Sequence, residues 1–333
     1  MTRPGERPLR AMLTPFQAAL ADGSTTEIVV NRPCEFAVES AGRWTWYDAP
    51  ELTFDRLDQI GILAASMSGK DVDGAHPLAE ATLPDGERIH VCRPPATSPG
   101  VISLTIRRPS AVARTVDDDD FAALFDDANT VSTRRTIHDE ELIAHKKAGR
   151  WKELFRLAVR KRKTIGVTGA TGSGKTDLLR RLMREVGEHE RIITIEDASE
   201  FGEMLQRNRV ALFHSSGSAS LANLSAEDLV KTALRMRPDR VMIQEIRAGD
   251  AFAFIRVIAA GHPGSVTTWH AEEGEAFDAL ELMIRQHPAG NTIPDAKVRA
   301  YLMRHLDVVV WCAKEPDRFT APNVWLKAEQ AAA

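Results

Sequence analysis

The rhythm of apolar and polar positions changes near residue 150, and the change divides the chain. Before it, short β-rich runs at 27–31, 35–39 and 43–47 are broken by Arg32-Pro33 and Ala41-Gly42. Such breaks suit a meander of hairpins. Phe54, Leu57, Ile60, Leu63 and Ala64 then recur at helical spacing. Strand candidates at 88–93 and 101–107 follow, separated by Pro94-Pro95 and Pro99-Gly100. From Trp151 onward strands alternate with helices. The strands are expected at 164–168, 191–195, 240–244 and 265–269, with a later one at 307–312. The helices are expected at 176–186, 226–236, 249–260 and 273–285. This alternation, with short connections, predicts a mostly parallel sheet covered by helices. The nearly continuous apolar runs 192–195 and 308–310 are those of strands covered on both faces. The expectation is an α/β chain in three parts: an N-terminal α+β domain at 1–110, a polar interdomain linker at 111–150 with one or two short helices, and a P-loop domain at 151–333. The linker aspartates at 117–120, 126 and 127 read as a solvated helix turn.

Length and charge add limits. A chain of 333 residues is long for one core and comfortable for two. Its 43 basic and 47 acidic residues leave a net charge of −4, which provides no global attraction to nucleic acid or to an anionic membrane. No basic stretch interleaved with aromatics supports strand binding, and the run 160–163 reads as a solvated strand entrance. Cys34, Cys92 and Cys312 are far apart, with no CxxC pair. Neither a zinc ribbon nor a redox motif is indicated, and a reducing compartment is expected. Residues 1–13 carry basic groups but no apolar stretch behind them, so no signal peptide is expected. The longest apolar run, 308–313, falls far short of the roughly 20 residues of a membrane span. Work at a membrane would therefore depend on partners.

Residues 169–176 read Gly-Ala-Thr-Gly-Ser-Gly-Lys-Thr. Gly169, Gly174, Lys175 and Thr176 stand at P-loop spacing, behind the apolar strand of Ile165 and Val167 and before a helix with one apolar face. Glycines let the backbone N–H groups of Gly169, Ala170, Thr171, Gly172, Ser173 and Gly174 turn around phosphate oxygens. The helix N-terminus adds partial positive charge at the same point. Lys175 is placed to contact the β- and γ-phosphates of ATP, and the Thr176 hydroxyl to ligate Mg²⁺. A P-loop also needs a carboxylate at the end of a neighbouring strand. Glu196 and Asp197 end one strand and Glu245 ends another. His270 ends a third, where it could sense the γ-phosphate.

Four boxes, in order and spacing, give the chain a resemblance to the traffic ATPases of secretion and pilus systems, specifically the hexameric ATPases of type IV secretion. Residues 169–176 look like the Walker A box, 193–200 like the aspartate box, 234–247 like the Walker B region and 261–271 like the histidine box. The likeness is strong from 160 to 285 and looser from about 25 to 110. It implies a RecA-like P-loop domain, ATP hydrolysis with Mg²⁺, and a homo-hexameric ring. It also implies an N-terminal domain from which Arg107 or Arg108 reaches the phosphates as an arginine finger does. Glu245 would hold Mg²⁺ or the attacking water, and Glu196 is the other candidate for water activation. The implied partners are inner-membrane components and other ATPases of a secretion system. The implied location is the cytoplasmic face of a bacterial inner membrane, without sequence-specific nucleic-acid binding. A pilus retraction ATPase and a nucleotide-dependent scaffold ring with little turnover are the alternatives. Gln244, Trp269 and Asp177 depart from the family's usual residues. A side chain at 244 would crowd Glu245, and an anion at 177 would sit near Mg²⁺. Slow turnover is the expectation these departures raise.

Overall fold

The computed structural model describes residues 4–109, 135–202, 204–214, 222–248 and 250–330, with Val116, Asp117, Phe121 and Phe125 besides. Most of 111–134, including the aspartates at 118–120, 126 and 127, lies outside the described residues. Two sheets organise the rest.

The first sheet has the order β3-β2-β1-β6-β5-β4 and is antiparallel throughout. Its strands are β1 (Thr25–Val30), β2 (Glu35–Ser40), β3 (Arg43–Asp48), β4 (Leu78–Thr82), β5 (Arg88–Cys92) and β6 (Ser103–Arg107). The expected meander is β1 to β3. Strand β4, Leu-Ala-Glu-Ala-Thr, carries no β-rich pattern. Its pairing with β5 over five residues makes it a strand. Helices α1 (Glu6–Met12), α2 (Gln17–Ala21) and α3 (Phe54–Met67) belong to the same unit. The Thr53 side chain caps α3 by accepting from Arg56 N–H. Leu9, Phe16, Ile28, Leu57, Ile60 and Leu104 meet in its core.

The second sheet has the order β13-β12-β7-β11-β10-β8-β9. Its strands are β7 (Ile165–Gly169), β8 (Ile192–Glu196), β9 (Arg209–Phe213), β10 (Arg240–Ile246), β11 (Val266–Trp269), β12 (Val308–Lys314) and β13 (Phe319–Leu326). All pairs are parallel except β12 with β13. Side chains alternate between two cores, as strand geometry requires. Val308 and Val310 enter the core beneath α4 (Ile137–Lys147), α5 (Trp151–Arg160) and α6 (Lys175–Met183). Val309 and Trp311 enter the opposite one, covered by α7 (Ala226–Ala233), α8 (Asp250–Ala259), α9 (Ala276–Arg285) and α11 (Asp295–His305). A short α10 (Pro288–Asn291) links the last two. The stretch 137–147, within the segment read as a linker with one or two short helices, is the capped helix α4. Its Leu142 lies in the core with Leu154 and Ile165.

The first unit docks on the β9 side of the second sheet largely through polar groups. Arg191, fully buried, donates to Asn31 Oδ1 at 2.6 Å and to the Met236 carbonyl at 2.8 Å, and lies over the Trp44 ring. Arg237 donates to Glu39, and Arg207 donates to Glu35 at 2.6 Å while lying over Trp46. Cys92 and Ala96 of the first unit enter the second unit's core. His90 is buried there with neither ring nitrogen bonded.

Desolvation pushes the His90 pKa down to about 4. A histidine depressed in the fold binds its proton more readily when unfolded, so it removes stability as pH falls from about 6.5 toward 4. Glu27, raised by burial to about 7, works the other way over the same window. The wild-type profile alone therefore does not isolate His90. The difference between wild type and His90→Leu does: the variant gains about 3 kcal/mol relative to wild type between neutral pH and pH 4. Urea melts at several pH values would measure this, and a pH-independent difference would refute it.

Candidate functional site

Strand β7 ends at Gly169, and α6 begins after Gly174. Gly169 has φ 143°, and a Cβ there would lie 2.1 Å from the Cys312 carbonyl oxygen of β12. Only a bare backbone can turn at this point. The loop brings Lys175 back under itself. Lys175 is 7% exposed, and its Nζ donates to the carbonyls of Gly169 and Ala170, each at 2.8 Å. The same Nζ lies 3.2 Å from His270 Nδ1. Desolvation lowers the Lys175 pKa, against the opposing pull of Glu245.

From Lys175 a chain of charge runs across the carboxyl edge of the sheet. His270 Nε2 lies 2.6 Å from Glu245 Oε1. Arg247 donates to Glu245 Oε2 at 2.9 Å and to Asp197 Oδ2 at 2.8 Å. Its guanidinium pKa is raised, first by the bond to Glu245. Gln244 closes the arrangement: its Oε1 accepts from Asp197 N–H at 3.0 Å, and its carbonyl accepts from the Thr268 hydroxyl at 2.8 Å. Neighbouring residues on a strand point to opposite faces. The Gln244 side chain thus turns toward Asp197 rather than over Glu245. Asp177 pairs with Arg181 one turn along α6 at 2.8 Å, on an exposed face.

Glu196 is held differently. It is 3% exposed and accepts from the Thr194 hydroxyl at 2.6 Å and from the N–H groups of Glu200 and Phe201 at 3.2 and 3.3 Å. Burial nevertheless raises its pKa. These bonds brace the turn after β8.

Arg107 and Arg108 lie elsewhere in the chain. Arg107 is 3.7 Å from Glu27, whose charge also feels Arg237 and Arg191. Those two residues precede β10 and β8, at the amino edge of the parallel sheet. Arg108 donates to the Asp22 carbonyl within the first unit. The fold brings Lys175, His270, Glu245 and the loop together, but neither of these arginines with them.

The residues present fit a polyphosphate. Gly169 adds no side chain of its own to the loop, and among the described residues the buried Ser173 hydroxyl beside it has no hydrogen-bond partner. The Lys175 ammonium is matched chiefly by loop carbonyls. Exposed Ala170, Thr171 and Gly172 form the outer lip, and Thr176 is half-buried on the first turn of α6. A cleft of about 570 Å³ opens beside them between Ala170, Thr171, His270 and α9. A larger hollow of about 690 Å³ lies in the first unit beside Arg10, Asp85 and Arg108, and has none of these features.

Comparison with known proteins agrees with the geometry. A family described as "Type II/IV secretion system protein" matches residues 56–287. The chain belongs to this family, among the traffic ATPases of type IV secretion. It is 39% identical over 301 residues to "Type IV secretion system protein VirB11" of Brucella suis biovar 1, covering 90% of this chain and 83% of that one. It is 35% identical to the protein of that name from Bartonella quintana, over 94% of this chain and 91% of the other. The crystal structure of the Brucella suis VirB11 ATPase in complex with sulphate superposes with a TM-score of 0.92 at 36% identity, over 98% of this chain and 96% of that one. This likeness fixes the fold class as an N-terminal α+β unit followed by a RecA-like unit.

The tryptophan at 269 has a partner the sequence did not disclose. A Cβ at Gly166, in the adjacent strand β7, would lie 2.2 Å from Trp269 Cη2. The indole N–H donates to the Ala276 carbonyl at 3.0 Å. Gly166→Ala is therefore expected to destabilise by about 1–3 kcal/mol through overpacking. Trp269→Leu in the same chain should recover much of that loss. A double-mutant cycle by chemical denaturation would show the coupling, and additive single effects would refute the contact.

Proposed function

We propose that the chain is an ATP-hydrolysing motor that works as a homo-hexameric ring in type IV secretion. We place it at the cytoplasmic face of a bacterial inner membrane, beside other ATPases and the membrane components of the machine. Among the described residues no helix is long and apolar enough to cross a membrane, so attachment rests on those partners. One observation carries the reading: a buried lysine of a complete phosphate loop, connected through His270 to a strand-end carboxylate.

In this reading the N–H groups of 169–174 and the Lys175 ammonium bind the phosphates and offset the charge that develops on transfer. Mg²⁺, held by the Thr176 hydroxyl and Glu245, would supply further neutralisation of the phosphates. Glu245 orients the attacking water, and His270 reports the state of the phosphates to it. Glu196 is a brace, since its oxygens already accept a hydroxyl and two backbone N–H groups. Glu245 is favoured over Glu196 as the acting carboxylate because His270 joins it to Lys175 of the loop. Arg107 and Arg108 reach phosphates only from another copy or after the first unit leaves its dock. The domains we assign are 1–110 and 151–333, with α4 packed on the second.

The scaffold reading keeps one supporting feature. Glu245 sits between His270 and Arg247, so each of its oxygens already faces a side-chain nitrogen. Turnover decides between the two. With ATP and Mg²⁺, the specific rate is expected to climb with protein concentration and to vanish in Lys175→Ala. Glu245→Gln should lower kcat by about 10²-fold or more while ATP still binds. Glu196→Gln should lower the melting temperature more than kcat. Loss of turnover in Glu196→Gln with unchanged melting would move the base to Glu196. Binding without Lys175-dependent turnover at any concentration would leave the scaffold.

A further inference from the structure

A lone exposed aromatic is ordinary on a protein surface. Phe319 is distinguished by where its ring lies. It opens β13, paired with Lys314 at the mouth of the β12–β13 hairpin, and is 63% exposed. Trp325, at the far end of the same strand, packs edge-on against Phe277. Among the described residues Phe319 has no such aromatic partner. Its ring instead lies against the phosphate loop. A Cβ at Gly174 would meet Phe319 Cδ1 at 3.2 Å and Cγ at 3.3 Å. Gly174 has φ 87° and caps α6 immediately before Lys175. The hairpin is fixed in that place by β12, whose Cys312 pairs with Gly169 at the start of the loop.

The loop and Lys175 recognise phosphate, which every nucleoside triphosphate and inorganic polyphosphate carries. Neither offers anything to a base. A base bound here needs a π-face near the loop and outside its concave interior, and the ring of Phe319 meets both conditions. The buried, unpartnered Ser173 hydroxyl, one residue before Gly174, independently marks this stretch as built for a ligand. We propose that Phe319 is the platform on which the adenine ring of the nucleotide stacks, making the β12–β13 hairpin the part of the site that selects a purine nucleotide over bare polyphosphate. The inference rests on the proposed ATP site and deepens it. A stack on one aromatic face favours the larger purine surface over a pyrimidine, because contact area sets its strength.

The test is calorimetric titration of the full chain with Mg-ATP, Mg-UTP and Mg-tripolyphosphate. Wild type, Phe319→Ala, Phe319→Trp and Lys175→Ala would be compared. Phe319→Ala is expected to weaken ATP about 10-fold, the order that base–aromatic stacking supplies. The same variant should weaken UTP less and leave tripolyphosphate unchanged. Phe319→Trp should hold ATP at least as well as wild type. Lys175→Ala should lose all three ligands. The platform is overturned if Phe319→Ala binds ATP as wild type does. It is equally overturned if ATP and tripolyphosphate weaken together, since the ring would then merely prop the loop. If wild type binds none of the three in a Lys175-dependent way, the ATP site itself fails, and the platform with it.

Discussion

A cation has to be kept out of water at Lys175, and the carboxyl edge of the second sheet is arranged around that demand. An ammonium buried without partners is among the costliest groups a fold can hold. Here two loop carbonyls accept its hydrogen bonds directly, and His270 stands between it and Glu245. Glu245 in turn needs Arg247, and Arg247 needs Asp197. These groups come from the ends of β7, β11, β10 and β8, so the chain of charge exists only in the observed parallel register. A one-residue slip would turn every strand-end side chain to the opposite face. Ligands of open α/β sheets lie at this edge because helix N-termini and strand-end side chains converge there.

Close packing does the rest. Around β7 the backbone is stripped of side chains where neighbours press in. Trp269 fills the space left at Gly166, and the Cys312 carbonyl fills that left at Gly169. The sequence presents Trp269 as a departure that threatens activity. In three dimensions it is half of a size exchange, large on β11 against none on β7. Asp177 and Gln244 likewise have partners in the fold. The first is answered by Arg181, and the second ties three strands through its two oxygens.

Much of this was legible along the chain. Apolar periodicity located the meander of β1 to β3 and the alternation that follows residue 151, because those elements bury a face in every period. Strands β4, β9 and β13 escaped; in β4, Leu-Ala-Glu-Ala-Thr takes its conformation from β5 and not from its own preference. A short helix was expected within the polar stretch that holds α4, but its charges hid the packing of Leu142 into the second unit's core. The phosphate loop was legible because its chemistry demands one spacing. Arg247 was not, because an arginine two residues after Glu245 carries no signal until Asp197 is brought beside it. The choice between Glu196 and Glu245 was equally closed to sequence. Both end apolar strands, and only their partners tell them apart.

The dock between the two units follows a different rule from either core. One face of the first sheet presents His90, Cys92, Ser103 and Thr105, two register pairs on neighbouring strands. Burying such a face gains little from water exclusion and leaves the His90 nitrogens and the Ser103 hydroxyl unbonded. What makes the fit specific is Arg191, a fully buried guanidinium met by amide and main-chain oxygens, with Arg207 and Arg237 stacked on Trp46 and Trp44 at its flank. Interfaces of this polar kind resemble those between transient partners more than those inside a domain. Each unit meanwhile keeps an apolar core of its own. Orientation is thus specified by directional polar groups, where each core is held by apolar packing.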